Sequence, residues 1–419
     1  MRALRNIAFG VLIVAVLIVG FVAQAGSYLF GFTSQAAEPQ SADTELAPFA
    51  DAGDHPVGVR TLGADIAPIP LTVWYPALEP PIRDSSLTYA YAINMLSADS
   101  TTAIATYEGD AEPGAAYDLD DGPFPLVVLS HGFAITASSY GWLAEHLASH
   151  GMVVVAPHHH ESLDPGGLWQ STFDRPQEVQ MVLSFVEEEA GPGVEFEGLI
   201  DSETIAVVGH SYGGYTALAA GGARLDTGAF NAACDAAYAT DDPLVFLCDA
   251  LAPRLVDIAA AAGIGSVPAG LWPSWSAREV DAVVSMAGDA AMFGEPGLEE
   301  ITVPVLAIGG TADTDSPFQW GTELTYDHVS SDRKIEVALN GAAHLVFAGD
   351  CTSVRRILSL VSLGFCSDPA WDRTEAHILV KNYVTAFLLA ELTDDQAATT
   401  ALSSGLHQRS DVGYRAEGY

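Results

Sequence analysis

The stretch Ile205-Ala206-Val207-Val208-Gly209-His210-Ser211-Tyr212-Gly213-Gly214 decides how this chain is read. Four apolar residues make a short buried strand, the pattern G-x-S-x-G follows at once, and Tyr215 to Gly221 continues as a helix. Such a turn lifts a serine above the end of a sheet in strained backbone geometry. It also brings neighbouring chains so close that the residues two before and two after the serine must be small, as Gly209 and Gly213 are. Ser211 is therefore the candidate nucleophile.

Outward from this turn the pattern is an alternation of strand and helix. Leu126 to Leu129, the loop His131-Gly132-Phe133, a helix around Ser138 to Ser149 and the strand Met152 to Ala156 precede it. An amphipathic helix near Pro176 to Glu189 lines up Val179, Val182 and Val186, and the strands Ala282 to Met286 and Val305 to Ile308 come after. This predicts an α/β protein with a mostly parallel central sheet flanked by helices. Val57 to Arg60 and Leu71 to Tyr75 read as the first strands, with a less regular stretch from Glu79 to Gly122. Residues 224–278 are too long for an ordinary crossover and read as a cap-like insertion above the strand ends. Apolar spacing from Asp372 to Leu392 predicts a last helix packed on the sheet, closing a domain of residues 57–392, and 393–419 reads as a dispensable tail.

A serine hydroxyl attacks only when a base takes its proton, so a later histidine oriented by a carboxylate is required. Of twelve histidines, His344 in Gly341-Ala342-Ala343-His344 follows the strand-like Lys334 to Leu339 and sits in a small-residue loop. The carboxylate belongs at the end of the preceding strand, where Gly310-Thr311-Ala312-Asp313-Thr314-Asp315 stands; Asp313 is the expected acid and Asp315 the alternative. Two amide donors for a tetrahedral intermediate are expected from Tyr212, next to the serine, and from Phe133 in the loop after the earlier strand.

His131 reads as a loop-shaping side chain that, with His158, Trp272 and Trp275, belongs beside the substrate; Phe293 is a further aromatic candidate. The cluster His158-His159-His160-Glu161 should emerge on the catalytic face as a polar wall or hydrogen-bond network, since consecutive residues rarely converge on one ion. Neither a metal nor an organic cofactor is expected.

The 419 residues are 49% hydrophobic, enough for one large core. The formal charge of −38, with Lys334 and Lys381 the only lysines, predicts an acidic shell best tolerated in salt and excludes nucleic acid as a partner. Arg2 and Arg5, an apolar run from Ile7 to Val22 and Ala23-Gln24-Ala25 read as an export segment, either cleaved before Gly26 or kept as a membrane tether through residues 7–22. Residues 26–56 read as a flexible spacer. Four cysteines suit an oxidising compartment; of three possible connectivities the local one, Cys234 with Cys248 and Cys351 with Cys366, is expected, each bridge contributing roughly 3 kcal/mol.

Taken together, Pro56-Val57-Gly58-Val59-Arg60, Val73-Trp74-Tyr75-Pro76, Leu129-Ser130-His131-Gly132-Phe133, the elbow at Ser211, Gly310-Thr311-Ala312-Asp313 and Gly341-Ala342-Ala343-His344 resemble one branch of the α/β-hydrolases, over roughly Val57 to Leu392. That branch holds the platelet-activating-factor acetylhydrolases and the predicted dienelactone hydrolases. The resemblance implies the α/β-hydrolase fold and the triad Ser211, Asp313 and His344, with Phe133 and Tyr212 as oxyanion donors. It also implies an esterase acting on a small-molecule or lipid ester. Dienelactone hydrolases proper use a cysteine nucleophile, so the serine here points to ester cleavage and away from that ring opening.

Overall fold

Alternation of apolar residues along the strands sends side chains to both sides of one sheet, and each side is covered by its own helices. The computed structural model describes residues 47–79, 87–354, 365–403 and 409–419. The export segment and most of the spacer lie outside the described residues. In chain order the strands are β1 (Val57–Leu62), β2 (Leu71–Pro76), β3 (Leu87–Asn94), β4 (Thr101–Gly109), β5 (Glu112–Pro113), β6 (Phe124–Ser130) and β7 (Val153–Pro157). They continue as β8 (Ile200–His210), β9 (Ala282–Met286), β10 (Val305–Gly310), β11 (Lys334–Leu339), β12 (Ser353–Val354) and β13 (Val412–Glu417).

Among the described residues the main sheet runs β13-β11-β10-β9-β8-β6-β7-β2-β1-β5. The strands from β7 to β11 are mutually parallel, and β2 and β13 run against their neighbours. On one face Val127, Leu129, Val154, Val208, Val284 and Ile308 pack with helices Gly141–Ser149 and Arg373–Leu392. On the other, Leu126, Val128, Val155, Val207, Val283 and Val305 pack with helices Leu168–Glu189 and Tyr212–Ala220.

Helix Leu168–Glu189 starts eight residues before the Pro176 at which the sequence suggested its beginning. An interior proline has no N–H, which leaves the carbonyl four residues earlier without its helical partner. That carbonyl belongs to Thr172, and the Tyr215 hydroxyl donates to it at 2.8 Å. The missing bond is thus replaced from the helix that follows Ser211.

The irregular-looking stretch before Gly122 holds a hairpin, β3 with β4, joined by β12 in a three-stranded sheet. Its strands are rich in alanine and threonine, so tyrosine and isoleucine side chains, Tyr89, Tyr91, Ile93 and Ile104, carry the burial. The hairpin buttresses the loop after β6: Ile93 bridges Ile135, and Asn94 N–H donates to the Ala134 carbonyl at 2.8 Å.

The expectation of a dispensable tail fails. Helix Gln396–Ala401 follows the long helix, and β13 then pairs with all of β11, from Lys334 opposite Glu417 to Leu339 opposite Val412. Arg415 donates to both oxygens of the buried Glu336 carboxylate. A chain ending at residue 410 would leave the outer edge of β11 and this carboxylate without partners. Its melting temperature is expected to fall by ~10 °C or more, readable by calorimetry.

The insertion folds as helices Thr227–Thr240, Val245–Leu251 and Leu255–Ala261, with the Cys234–Cys248 disulfide joining the first two. It leaves and rejoins the domain beside the start of the strands, since Arg224 N–H bonds the Gly297 carbonyl and Arg278 holds the Ser202 carbonyl. At both its roots it is therefore a flank on the helix layer, whereas Asp242, between its first two helices, accepts from the Gln319 side chain in the segment after β10. The second disulfide joins Cys351 and Cys366. Both pairings are the local ones expected. Among the described residues no helix is long and apolar enough to cross a membrane.

Candidate active site

Ser211 stands between β8 and helix Tyr212–Ala220 at φ 58° and ψ −124°, a conformation that side chains rarely adopt. Its N–H bonds the Met286 carbonyl at the end of the neighbouring β9. A Cβ on Gly209 would stand 2.0 Å from the Gly213 carbonyl oxygen, and one on Gly213 would stand 2.0 Å from that of Ser130. The small residues flanking the serine are thus demanded by backbone against backbone. A strained serine at a strand-to-helix elbow, on a parallel sheet entered through one reversed strand, decides the architecture.

The fold is that of the α/β-hydrolases.

Comparison with known proteins agrees. The family model described as Chlorophyllase matches residues 116–233. Cutinase est1 of Thermobifida alba is 27% identical over 57% of this chain and 58% of its own length. Cutinase est2 of the same organism is 32% identical over 23% of the chain and 30% of its own length. Chlorophyllase-1, chloroplastic, of Citrus unshiu is 28% identical over 24% of the chain and 29% of its own length. The chain therefore spans less than two thirds of the curated relatives it matches.

Asp313 follows β10 and is buried. Its Oδ1 accepts from the amides of Asp315 at 2.8 Å and Ser316 at 2.9 Å, and its Oδ2 lies 2.7 Å from His344 Nδ1. Asp315 contributes its backbone to this arrangement while its side chain is exposed. His344 begins a short 3₁₀ turn after β11, reached through Gly341 at φ 80°. Burial works against a charged imidazole here, but the carboxylates of Asp313, Asp315 and Asp289 outweigh it and push the His344 pKa up to about 9.

His210, the residue before Ser211, links the loop that carries His344 to the loop after β6. Its Nε2 lies 3.2 Å from the His344 carbonyl, which can only accept, so Nε2 carries the proton and Nδ1 accepts from the Tyr140 hydroxyl at 2.7 Å. Tyr140 in turn accepts from the Gly132 amide at 3.1 Å. Burial, followed by the neighbouring His344, holds the His210 pKa well below the usual range, which keeps this neutral tautomer.

The loop 131–134 is gripped from beneath by a side chain that no sequence pattern singles out. Arg175 is 1% exposed, and it donates to the carbonyls of His131 at 2.6 Å and Gly132 at 3.2 Å and to both oxygens of Glu161. Glu161 Oε1 also accepts the Ala134 amide at 2.7 Å, where Ala134 sits at φ 57°. This frame fixes the peptide that carries Phe133. Asp289 is the other titratable group missed; it lies past β9 and accepts from the Ser316 hydroxyl at 2.9 Å.

The four histidines around β7 diverge. His131 donates through Nδ1 to the Gly132 carbonyl and accepts the His159 amide at Nε2, a loop-shaping role. His158 bonds Thr72 on β2, His159 lies between Ser130 and Glu178, and His160 is exposed near Asp99. The trio that does gather ligand atoms within 4.8 Å among the described residues is His55, Asp118 and Asp121. It lies beside Phe124 at the opposite end of the strands from Ser211.

Trp272 and Trp275 come together, but away from the serine. Trp272 is fully buried with its indole N–H on Thr227, and Trp275 packs on Phe173. The adjoining Ser276 bonds the Ala220 carbonyl, at the far end of the helix that begins after Ser211. Phe293 stacks on Tyr215 inside the core. The aromatic residues are therefore internal packing and form no wall beside Ser211. A cavity of about 390 Å³ does adjoin the site, lined by Phe133, His160, Asp164, Gln170, Asp174 and Glu178 among others.

Proposed function

We propose that this protein is a serine hydrolase that cleaves carboxylic esters through an acyl-enzyme. The observation that carries the reading is the Asp313–His344 pair, 2.7 Å apart, held beside the residue that precedes a strained elbow serine. His344 Nε2 takes the Ser211 proton as Oγ bonds to the ester carbonyl carbon. The amides of Tyr212 and Phe133 hold the resulting oxyanion. His344 returns the proton to the leaving alcohol as the C–O bond breaks. Water, deprotonated by the same imidazole, then releases the acid and frees Ser211. No metal or organic cofactor enters this scheme.

Cutinase and chlorophyllase are names of ester hydrolases, which supports the reaction class and leaves the substrate open. Short-chain acyl esters come first, with phospholipid-type acyl esters next through the acetylhydrolase resemblance and polyesters through the cutinase similarity. The carboxylates lining the cavity beside Phe133 favour neutral substrate groups over anionic ones. Two disulfides suit an oxidising compartment, so export is part of the reading.

The test is hydrolysis of p-nitrophenyl esters of graded chain length, at low and high salt, by the wild type and Ser211→Ala. The wild type is expected to turn over short chains, and the variant to lose at least ~10⁴-fold in kcat/KM. Undiminished activity in the variant sinks the assignment. A folded wild type inert on every ester but active on matched amides would move the reaction to amide cleavage on the same three residues.

A further inference from the structure

Asp289 is placed with more care than a surface acid needs. It lies three residues beyond β9, in a turn whose Ala287 has φ 46° and donates its N–H to the Ile308 carbonyl. The preceding Gly288 is wedged against the helix after Ser211: a Cβ there would meet Ser285 Oγ at 2.1 Å and the Gly214 backbone at 2.9 Å. The following Ala290 N–H is bound by the Trp320 carbonyl. The turn is thus pinned from both sides, and it holds Asp289 half-buried beside the loop that carries Asp313.

Ser316 joins the two acids. Its hydroxyl donates to Asp289 Oδ1 at 2.9 Å while its amide donates to Asp313 Oδ1 at 2.9 Å. One serine therefore reads the position of Asp289 and passes it to the carboxylate that holds His344. The charged groups facing His344 are Asp313 and Asp315 from the loop after β10 and Asp289 from the loop after β9; His210, at the end of β8, faces it as a neutral ring.

We propose that Asp289 is a positioning residue of this site: through Ser316 it orients the donor to Asp313, and it sets a further carboxylate among those around His344. The inference rests on the acyl-transfer reading above. Burial, against the Ser316 bond and the His344 charge, pushes the Asp289 pKa up to about 7. Two groups that face one another titrate as a pair, and the acid limb of activity belongs to both.

The sign follows from charge. Removing an anion near His344 destabilises the imidazolium, so the neutral base persists to lower pH. One charge several ångströms away moves a proton affinity by about two units at an effective dielectric of about 20, and by about one where water around a half-exposed carboxylate roughly doubles that dielectric. Asp289→Asn is therefore expected to shift the acid limb of kcat/KM down by about one pH unit, at low and high salt alike, because the partly enclosed charge is poorly screened. Ser316→Ala removes a bond that favours the Asp289 anion while keeping the amide on Asp313, so it should shift the limb the same way by less. Asp289→Glu should restore the wild-type profile. The exposed Asp315 offers a contrast, since any shift in Asp315→Asn should fade as salt rises.

The profiles are measured with p-nitrophenyl butyrate and, in parallel, by the rate at which a p-nitrophenyl phosphonate forms a P–O bond with Ser211 Oγ and releases p-nitrophenolate, with the label located by mass spectrometry. A downward shift in both readouts supports the proposal. Unchanged limbs in Asp289→Asn and Ser316→Ala, or a uniform loss of rate at every pH, overturn it and leave Asp289 a structural residue. If Asp289→Asn does not fold, the Ser316→Ala profile decides alone. Failure of the wild type to label Ser211 at any pH refutes the acyl-transfer reading itself, a result distinct from an unshifted limb.

Discussion

Asp313→Asn is expected to lower kcat/KM by about 10⁴-fold while the fold stays intact. The reason lies in which oxygen is already committed. Asp313 Oδ1 accepts from two backbone amides, Asp315 and Ser316, so an asparagine at 313 keeps its carbonyl oxygen there and turns its amide nitrogen toward His344. That nitrogen only donates, so His344 Nδ1 must accept and its proton moves to Nε2. An imidazole protonated on Nε2 cannot take the proton of Ser211. The backbone bonds that shape the loop survive, so circular dichroism and the melting temperature should change little. Retained activity within tenfold of wild type would show that the Asp313–His344 contact is not the orienting bond. Asp315→Asn, whose side chain is exposed, is the fitting comparison and should remain close to wild type.

Arg175→Leu is expected to cost stability and rate by separable routes. The substitution leaves the Glu161 carboxylate, whose side chain is 6% exposed, without its counter-charge, which costs about 3–5 kcal/mol. It also removes the guanidinium from the carbonyls of His131 and Gly132, so the peptide carrying the Phe133 amide is held less firmly. Loss of one oxyanion donor costs about 10²–10³-fold in kcat, and a donor displaced by loosening should approach the lower end with KM little changed. Arg175→Leu combined with Glu161→Leu should recover much of the stability by removing the stranded charge. It should not recover kcat, because Ala134 still lacks the acceptor for its N–H. If denaturant midpoints and kcat recover together, the pair serves packing alone.

The strands from Leu126 to Leu339 were legible because each is a short apolar run between turn residues, and burial on both faces makes such runs unmistakable. The elbow was legible because its glycines answer a local clash that any chain making this turn must avoid. The hairpin β3–β4 was hidden by alanine and threonine, which carry little strand signal, and β13 by a sequence of mixed polarity that owes its place to pairing with β11. Arg175, the partner of the Glu161 already legible in its polar cluster, was hidden for a different reason. A buried ion pair between a helix and a loop fourteen residues apart leaves no periodicity, and nothing in either residue type distinguishes it from a solvated charge. The tryptophans of the insertion misled because aromatic content alone does not say which side of a helix layer it fills.

The pairing of β13 with β11 also bears on the order in which the sheet can be completed. Residues 412–417 are made after every other strand of the sheet, yet they close the outer edge of β11, the strand that leads into the His344 loop. Until they arrive, β11 presents an open row of backbone donors and acceptors to any other chain nearby. If this protein crosses a membrane during or after synthesis, the histidine loop gains its final support late in the passage. A chain stalled before that moment would carry a finished elbow on an unfinished sheet.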